Sequence, residues 1–356
     1  MKIAILTSGG DCQGLNPALR GVAKGLYHLV PDVWIYGVSD GYTGLIENNI
    51  KLMKPSDFSG ILRQGGTILG TTRQPYKTMV FEEGGLTEKA EQMIENYKRN
   101  NFDALIILGG NGTQKTANLL SQNGVNVVSL PKTIDNDLYG TDYSFGFDSA
   151  VAKATSVIDA VHSTAEAHGR VFVVELMGHK VGWIAIYAGV AGGADVILIP
   201  EIPYDTENVV EVIEKRNVDG KGFTIIAIAE GAVTREENNM AKKDRKGLMN
   251  TSGSRLAEHL QAILDEKEMN QEVKLVIPGY YQRGGEPTPT DRMLCSRLGA
   301  KAAELIAERK FGNMVAVNGL DIVTMPLSEV AGKLKEISPD DDMIRQAKHL
   351  GISFGD

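Results

Sequence analysis

The chain has 356 residues, enough for two to three domains at about 100–200 residues each. Its 42% hydrophobic and 23% charged content is that of a globular protein and excludes a disordered chain. Lys+Arg 37 against Asp+Glu 45 leaves a net charge of −8, which argues against nucleic-acid and anionic-membrane partners and requires any anionic ligand to meet a local basic cluster.

Lys2–Leu6 reads as a buried strand. Asn16-Pro17 then has the form of an N-cap followed by proline at the first helical position, opening a helix to about His28. Val33–Ser39 is a second strand. Thr87 is placed to cap a helix reaching about Asn100, and the strand Ala104–Leu108 follows. A helix over about Thr113–Asn123 leads to the strand Val125–Leu130. Next come a helix near Asp148–His168, the strand Val171–Leu176, a helix through Trp183–Ala191 and the strands Val196–Ile199 and Phe223–Ala229. A helix near Gly253–Glu266, the strand Lys274–Ile277 and a helix over about Thr290–Arg309 complete the pattern. Strand–helix alternation of this kind predicts an α/β protein of two lobes, each a mostly parallel sheet with helices on both faces. The charged, Asn-rich stretch Thr234–Thr251 reads as an exposed insertion.

Two cysteines, Cys12 and Cys295, have neither metal-site spacing nor a disulfide framework and suit a reducing, cytoplasmic setting. The opening apolar run is too short for a signal peptide, and no window approaches the roughly 18 apolar residues of a membrane span. Glycine, 40 residues of 356, recurs in pairs after apolar runs, as where backbone is kept bare for close approach.

Several of those pairs sit where strands end. Thr7-Ser8-Gly9-Gly10-Asp11 and Leu108-Gly109-Gly110-Asn111-Gly112-Thr113 both read strand, glycines, helix. Bare N–H groups at such a turn suit phosphate, although the first would serve equally as a tight strand–helix turn. Neither is GxGxxG or a Walker A loop. A third segment, Gly65-Gly66-Thr67 to Gly70-Thr71-Thr72-Arg73, adds a basic group. Pro131-Lys132-Thr133-Ile134-Asp135-Asn136-Asp137 follows the strand Val125–Leu130. Its two carboxylates beside a lysine are suited to binding Mg²⁺ and to accepting a proton from a substrate hydroxyl; an Asx-turn with solvated aspartates is the alternative. A last group, Arg170, Met177-Gly178-His179, Glu230, Lys274 and Tyr280-Tyr281-Gln282-Arg283-Gly284-Gly285, lies near the ends of second-half strands and supplies groups for a second phosphorylated ligand.

In this order and spacing, TSGGD, GGTxLGTTR, GGNGT, PKTIDND, the MG turn, Glu230 and QRGG resemble the 6-phosphofructokinase family over about residues 2–310. The resemblance implies phosphorylation of O1 of fructose 6-phosphate by ATP with Mg²⁺ in a cleft between lobes, within glycolysis. It implies a nucleotide-binding lobe of residues 1–146 with about 282–332, and a sugar-phosphate lobe of 147–281 with about 333–356. It also implies a homo-oligomer, dimer or tetramer, whose sugar-phosphate sites are shared between subunits. Asp135 becomes the general base and Thr133 positions the reacting groups. Gly10, Arg73, Gly110, Asn111, Gly112 and Thr113 hold the nucleotide phosphates, with Asn111 and Asp137 at the metal. Thr133, Ile134 and Asp135, with Met177, Gly178, His179, Glu230, Tyr280, Gln282 and Arg283, take the sugar phosphate in the same chain, and Arg170 and Lys274 reach it from a neighbour.

Three positions depart from the usual family pattern. Asn111 stands where an aspartate is usual, His179 where an arginine is usual, and Lys274 replaces another arginine at a phosphate. Histidine lacks the permanent, forked charge of guanidinium. Gly112 resembles the ATP-using members, whereas Lys132 resembles the pyrophosphate-using ones; the combined pattern predicts ATP, with a pyrophosphate-dependent enzyme as the alternative. The changes at Asn111 and His179 leave a non-catalytic regulatory paralogue binding sugar phosphate or nucleotide as a further alternative. Arg20, Lys24 and Lys221 match basic residues of an effector pocket in bacterial relatives, but Asp219 replaces an expected lysine; Arg20 and Lys24, at i and i+4, equally make a solvated helix face.

Overall fold

The computed structural model describes residues 1–248 and 250–356. The strands run β1 (Lys2–Ser8), β2 (Trp34–Val38), β3 (Ile50–Met53), β4 (Ala104–Gly109), β5 (Val127–Pro131), β6 (Val171–Leu176), β7 (Val196–Leu198), β8 (Thr224–Ala229), β9 (Val273–Val276), β10 (Asn313–Asn318) and β11 (Asp321–Pro326). The α-helices are α1 (Leu15–Leu29), α2 (Tyr42–Glu47), α3 (Glu88–Arg99), α4 (Asn111–Gln122), α5 (Phe147–His168), α6 (Trp183–Ala191), α7 (Thr206–Val218), α8 (Arg235–Asn239), α9 (Lys242–Lys246), α10 (Ser252–Glu266), α11 (Pro289–Ala307), α12 (Leu327–Val330) and α13 (Asp342–His349). Two compact units result: Met1–Ser149 with Arg283–Lys335, and Ala150–Gln282 with Glu336–Asp356. No helix among the described residues is long and apolar enough to cross a membrane.

The first unit is built on a seven-stranded sheet ordered β11-β10-β5-β4-β1-β2-β3. Its inner strands are parallel, while β3 and β11 close the edges antiparallel. β4 is buried along its whole length, without polar–apolar alternation, because helices cover both faces. On one face Leu6, Leu105, Ile107 and Val127 pack with residues of α2, α3 and α4. On the other, α1 and α11 approach so closely that a Cβ on Gly299 would lie 2.5 Å from the Val22 nitrogen. The β10–β11 hairpin, absent from the sequence reading, turns on Gly319 (φ +59°) and Leu320 between the paired Asn318 and Asp321.

The second unit carries a four-stranded parallel sheet, β7-β8-β6-β9. Val171, Val173, Ile226 and Ile228 pack with residues of α7 and α10 on one face. On the opposite face Gly189 of α6 lets that helix close on Ile197 and Ala227. The C-terminal segment returns to this sheet, where Ser353 bridges Val196 and Phe354 is fully buried.

Several boundaries differ from the sequence-based expectation. α1 begins at Leu15 with Gly14 at the N-cap, so Asn16 is not the cap. Its buried amide instead donates to the carbonyls of Gln64 and Gly65, and its oxygen accepts from the Ile68 N–H. Thr87 does occupy the N-cap of α3, but its hydroxyl donates to the Thr78 carbonyl and leaves the helix end uncapped by a side chain. α4 starts at Asn111, two residues early, and β5 at Val127, two residues late. The stretch 234–251 is not wholly a solvated insertion: Thr234 and Glu237 form a capping box on α8, and Glu237 pairs with Arg255 at 2.6 Å. Met249 lies outside the described residues.

The N-termini of α5 and α11 meet at a buried carboxylate. Asp291 accepts from the N–H of Gly146 (3.0 Å), the N–H of Ser149 (2.9 Å) and the Ser149 hydroxyl. Burial raises its pKa above the ordinary carboxylate value. Asp291→Ala strands these donors, and at about 1–3 kcal/mol for each buried donor left unmade the loss is about 3 kcal/mol or more. Denaturant unfolding of the variant measures it through the shifted midpoint at constant slope.

Candidate active site

β1, β4 and β5 are adjacent and parallel, so their C-terminal ends open on one edge of the first sheet. That edge gathers the glycine turns and the Lys132–Asp137 loop. The Thr7 hydroxyl donates to the Gly70 carbonyl at 2.7 Å, the Gly9 N–H to the Thr72 carbonyl at 3.0 Å, and the Thr71 hydroxyl to the Gly9 carbonyl at 2.7 Å. These bonds zip the third glycine segment onto the first and carry Arg73 to Gly10. A Cβ on Gly10 would lie 2.9 Å from Arg283 Nη1 and 3.4 Å from Arg73 Nη2. Arg283 Nη1 donates to the Asp11 carbonyl at 2.9 Å, and the Lys132 ammonium donates to the Gly10 carbonyl. Three cations therefore surround one bare turn, the local basic cluster that a chain of charge −8 requires for an anion. Arg283 Nε is buried without a hydrogen-bond partner among the described residues.

Lys132 is only 4% exposed, and this burial lowers its pKa. Cys12, on the same turn, is pushed up to about 12 by burial, which keeps the thiol inert. Gly110 lies against Lys132, a Cβ there coming within 3.3 Å of its carbonyl oxygen. A Cβ on Gly112 would meet nothing within 4 Å, so this position of α4 faces open space. Thr113 is buried, its hydroxyl 3.5 Å from the Ser8 carbonyl.

The loop after β5 is held rigidly. The Asp135 N–H donates to the Thr133 hydroxyl at 3.1 Å, and Ser144 Oγ donates to the Thr133 carbonyl at 2.7 Å. Asn136 adopts φ +54°, a conformation asparagine tolerates, and its oxygen accepts from the Ser144 N–H at 3.0 Å. Ile134 is buried beneath, and Asp137 is 7% exposed. Asn111 donates its amide to the Lys333 carbonyl at 2.6 Å. Nothing in the sequence signalled the anchors Asn16 and Ser144, because their partners lie in other segments.

In the second unit Glu230, just past β8, accepts from the N–H groups of Gly178 (3.3 Å) and His179 (2.7 Å), just past β6. His179 has φ +55° and is exposed. Gln282 accepts from the Met177 N–H at 3.3 Å and donates to the Gly279 carbonyl at 3.2 Å, bringing the turn after β9 to the same edge. Tyr280 on that turn is 79% exposed. Arg170 and Lys274 do not join this group. Arg170 precedes β6 and Lys274 pairs with Phe172, at the opposite edge of the sheet, roughly 20 Å away at about 3.3 Å per residue. Both cations bind Glu272, at 2.8 Å and 3.1 Å.

Residues 2–306 match the family model described as Phosphofructokinase. The chain belongs to the phosphofructokinase family. It is 51% identical over 99% of its length, and 97% of the relative's, to the ATP-dependent 6-phosphofructokinase of Spirochaeta thermophila. It is 46% identical, over the full length of both chains, to ATP-dependent 6-phosphofructokinase 3 of Bacteroides thetaiotaomicron. The solved phosphofructokinase of Saccharomyces cerevisiae superposes with a TM-score of 0.77 at 30% identity, covering 92% of this chain and 45% of that one. The family match contains every site residue discussed above except Lys333.

Proposed function

We propose that this chain transfers the γ-phosphoryl group of ATP to O1 of fructose 6-phosphate, giving fructose 1,6-bisphosphate and ADP in glycolysis. The observation that carries the reading is the placement of Asp135 on a braced loop at the sheet edge where Arg73, Lys132 and Arg283 surround the bare Gly10 turn. Asp135 removes the proton from O1 as the new O1–phosphorus bond forms and the bond to the β–γ bridging oxygen breaks, leaving ADP. The three cations neutralise charge on the transferring phosphoryl group, and Thr133 orients the base. Gly10, Arg73 and Gly110–Thr113 hold the donor phosphates.

The first unit takes the donor, and Met177, Gly178, His179, Glu230, Tyr280 and Gln282 of the second take the sugar phosphate. Arg170 and Lys274, at the far edge of their sheet, serve the sugar phosphate of a second copy of the chain in a homo-oligomer. Among the described residues no three His, Cys, Asp or Glu cluster as a metal cage. Asp137 and the Asn111 oxygen are a hard-oxygen pair of the kind Mg²⁺ uses together with substrate phosphates, and they would hold it here. Bound Mg²⁺ supplies charge neutralisation on the phosphates.

The test is a side-by-side assay of ATP and pyrophosphate with fructose 6-phosphate. A higher kcat/KM with ATP is expected. The buried Lys132 beside Gly10 favours the second reading, pyrophosphate as donor, and a higher value with that donor would establish it. Tight sugar-phosphate binding by calorimetry with no transfer from either donor would instead leave a regulatory protein.

Lys132 also sets a pH dependence. Its pKa is lowered, so its charge is present at low pH and is lost below the ordinary lysine range as pH rises. The donor KM is expected to climb on that alkaline limb, and Lys132→Met removes the limb while raising KM at neutral pH. A pH profile of donor KM for both proteins checks this.

A further inference from the structure

The chain after α12 makes a three-residue strap, Lys333–Lys335, beyond the residues that match the family model. Leu334 bridges Leu138 antiparallel, which lays the strap alongside the Asp137 loop. At one end the Lys333 carbonyl accepts the Asn111 amide at 2.6 Å, and the Lys333 ammonium sits over the Tyr139 ring at 4.8 Å from its centre. At the other the Lys335 N–H donates to the Asp137 carbonyl at 2.9 Å. The Lys335 ammonium donates to the carbonyls of Thr141 (2.9 Å) and Asp142 (2.8 Å). One short segment is thus tied both to the first residue of α4 and to the loop that carries Asp135.

We propose that Asn111 and Lys335 are positioning residues which, through this strap, fix the donor-phosphate site; the inference rests on the donor reading given above. The chemistry of position 111 follows. A carbonyl needs a donor, which an amide is and a carboxylate is not. Asparagine here fastens the strap to α4, whereas an aspartate would face the Lys333 carbonyl with like partial charge. Lys335 spans two carbonyls of the loop and closes it behind Asp137. With either fastening lost, Asn111 and Asp137 no longer keep their separation, and donor binding weakens while the sugar-phosphate residues of the second unit are untouched.

The experiment uses the full-length chain and two readouts, one of which needs no turnover. Trypsin cleavage after the exposed Lys333 reports release of the strap, since cleavage follows the open population. Calorimetry with ADP, with and without Mg²⁺, and steady-state kinetics report the site. Asn111→Asp and Lys335→Met are expected to speed cleavage and to raise the KM for ATP roughly tenfold or more, with the fructose 6-phosphate KM unchanged. Lys335→Arg, which keeps donors for both carbonyls, restores the protection and the KM. Cleavage and KM unchanged in Asn111→Asp overturn the proposal, as does a gain in ADP–Mg²⁺ affinity there. Thermal unfolding of each variant separates a released strap from a misfolded chain, and a variant that unfolds is replaced by Asn111→Ala, which has no side-chain donor. A wild type that transfers phosphate from neither donor would remove the kinase reading, and the protease result would still decide the strap.

Discussion

Asp135→Asn lowers kcat by roughly 10²–10⁴, the usual contribution of a positioned proton acceptor. Asparagine has the same size, and the backbone N–H that Asp135 gives to Thr133 is independent of the side chain, so the loop keeps its shape. The bracing by Ser144 and Asn136 is likewise unaffected. The side chain loses its negative charge, which bears on Lys132, and with it the ability to take a proton. The sugar hydroxyl then attacks without a base, while the fructose 6-phosphate KM stays within about twofold because ground-state contacts remain. Steady-state kinetics with calorimetry of sugar-phosphate binding measures both quantities. Turnover near that of the wild type would exclude Asp135 as the base and with it the proposed role of the loop.

Gly112→Asp abolishes most ATP-dependent activity, with kcat/KM for ATP falling by roughly 10²-fold or more, since an unfavourable like-charge contact costs several kcal/mol. The side chain would be sterically tolerated, as a Cβ there meets no protein atom within 4 Å. On the proposed reading the loss therefore comes from a carboxylate projecting into the space assigned to the nucleotide phosphates, and thermal stability should hardly change. Running the same protein with pyrophosphate gives the complementary measurement. A variant that keeps its ATP kcat/KM would mean that the nucleotide does not pass this face of α4.

Much of the architecture was legible from the sequence because its signals are local. Continuous apolar runs such as Ala104–Leu108 mark strands covered on both faces, and helical periodicity between them marks a parallel α/β sheet. The motifs were legible for the same reason, since each loop directly follows its strand. What escaped was long-range. Asn16 has the composition of a cap and lies before a proline, yet the competing pull of three backbone groups of the 64–68 loop takes its side chain. Asp291 lies in the first turn of α11, and its burial against Gly146 and Ser149 depends on partners far along the chain. Arg170 and Lys274 stand near strand ends in the sequence, as Glu230 does, but the sheet puts them at the opposite ends of β6 and β9 from that residue.

The sequence by itself determined the chemistry on offer: glycine turns with bare N–H groups, a lysine and two carboxylates in one loop, and cations scattered enough to look unrelated. The tertiary structure decided which of these share an edge. Strand order and parallel pairing bring the ends of β1, β4 and β5 side by side, and α12 returns the chain so that Lys333–Lys335 ties Asn111 to Asp137. The physical reason is that residue spacing encodes only neighbours along the backbone. Hydrogen bonds between distant strands, chosen by burial of both sheet faces, set which loops meet.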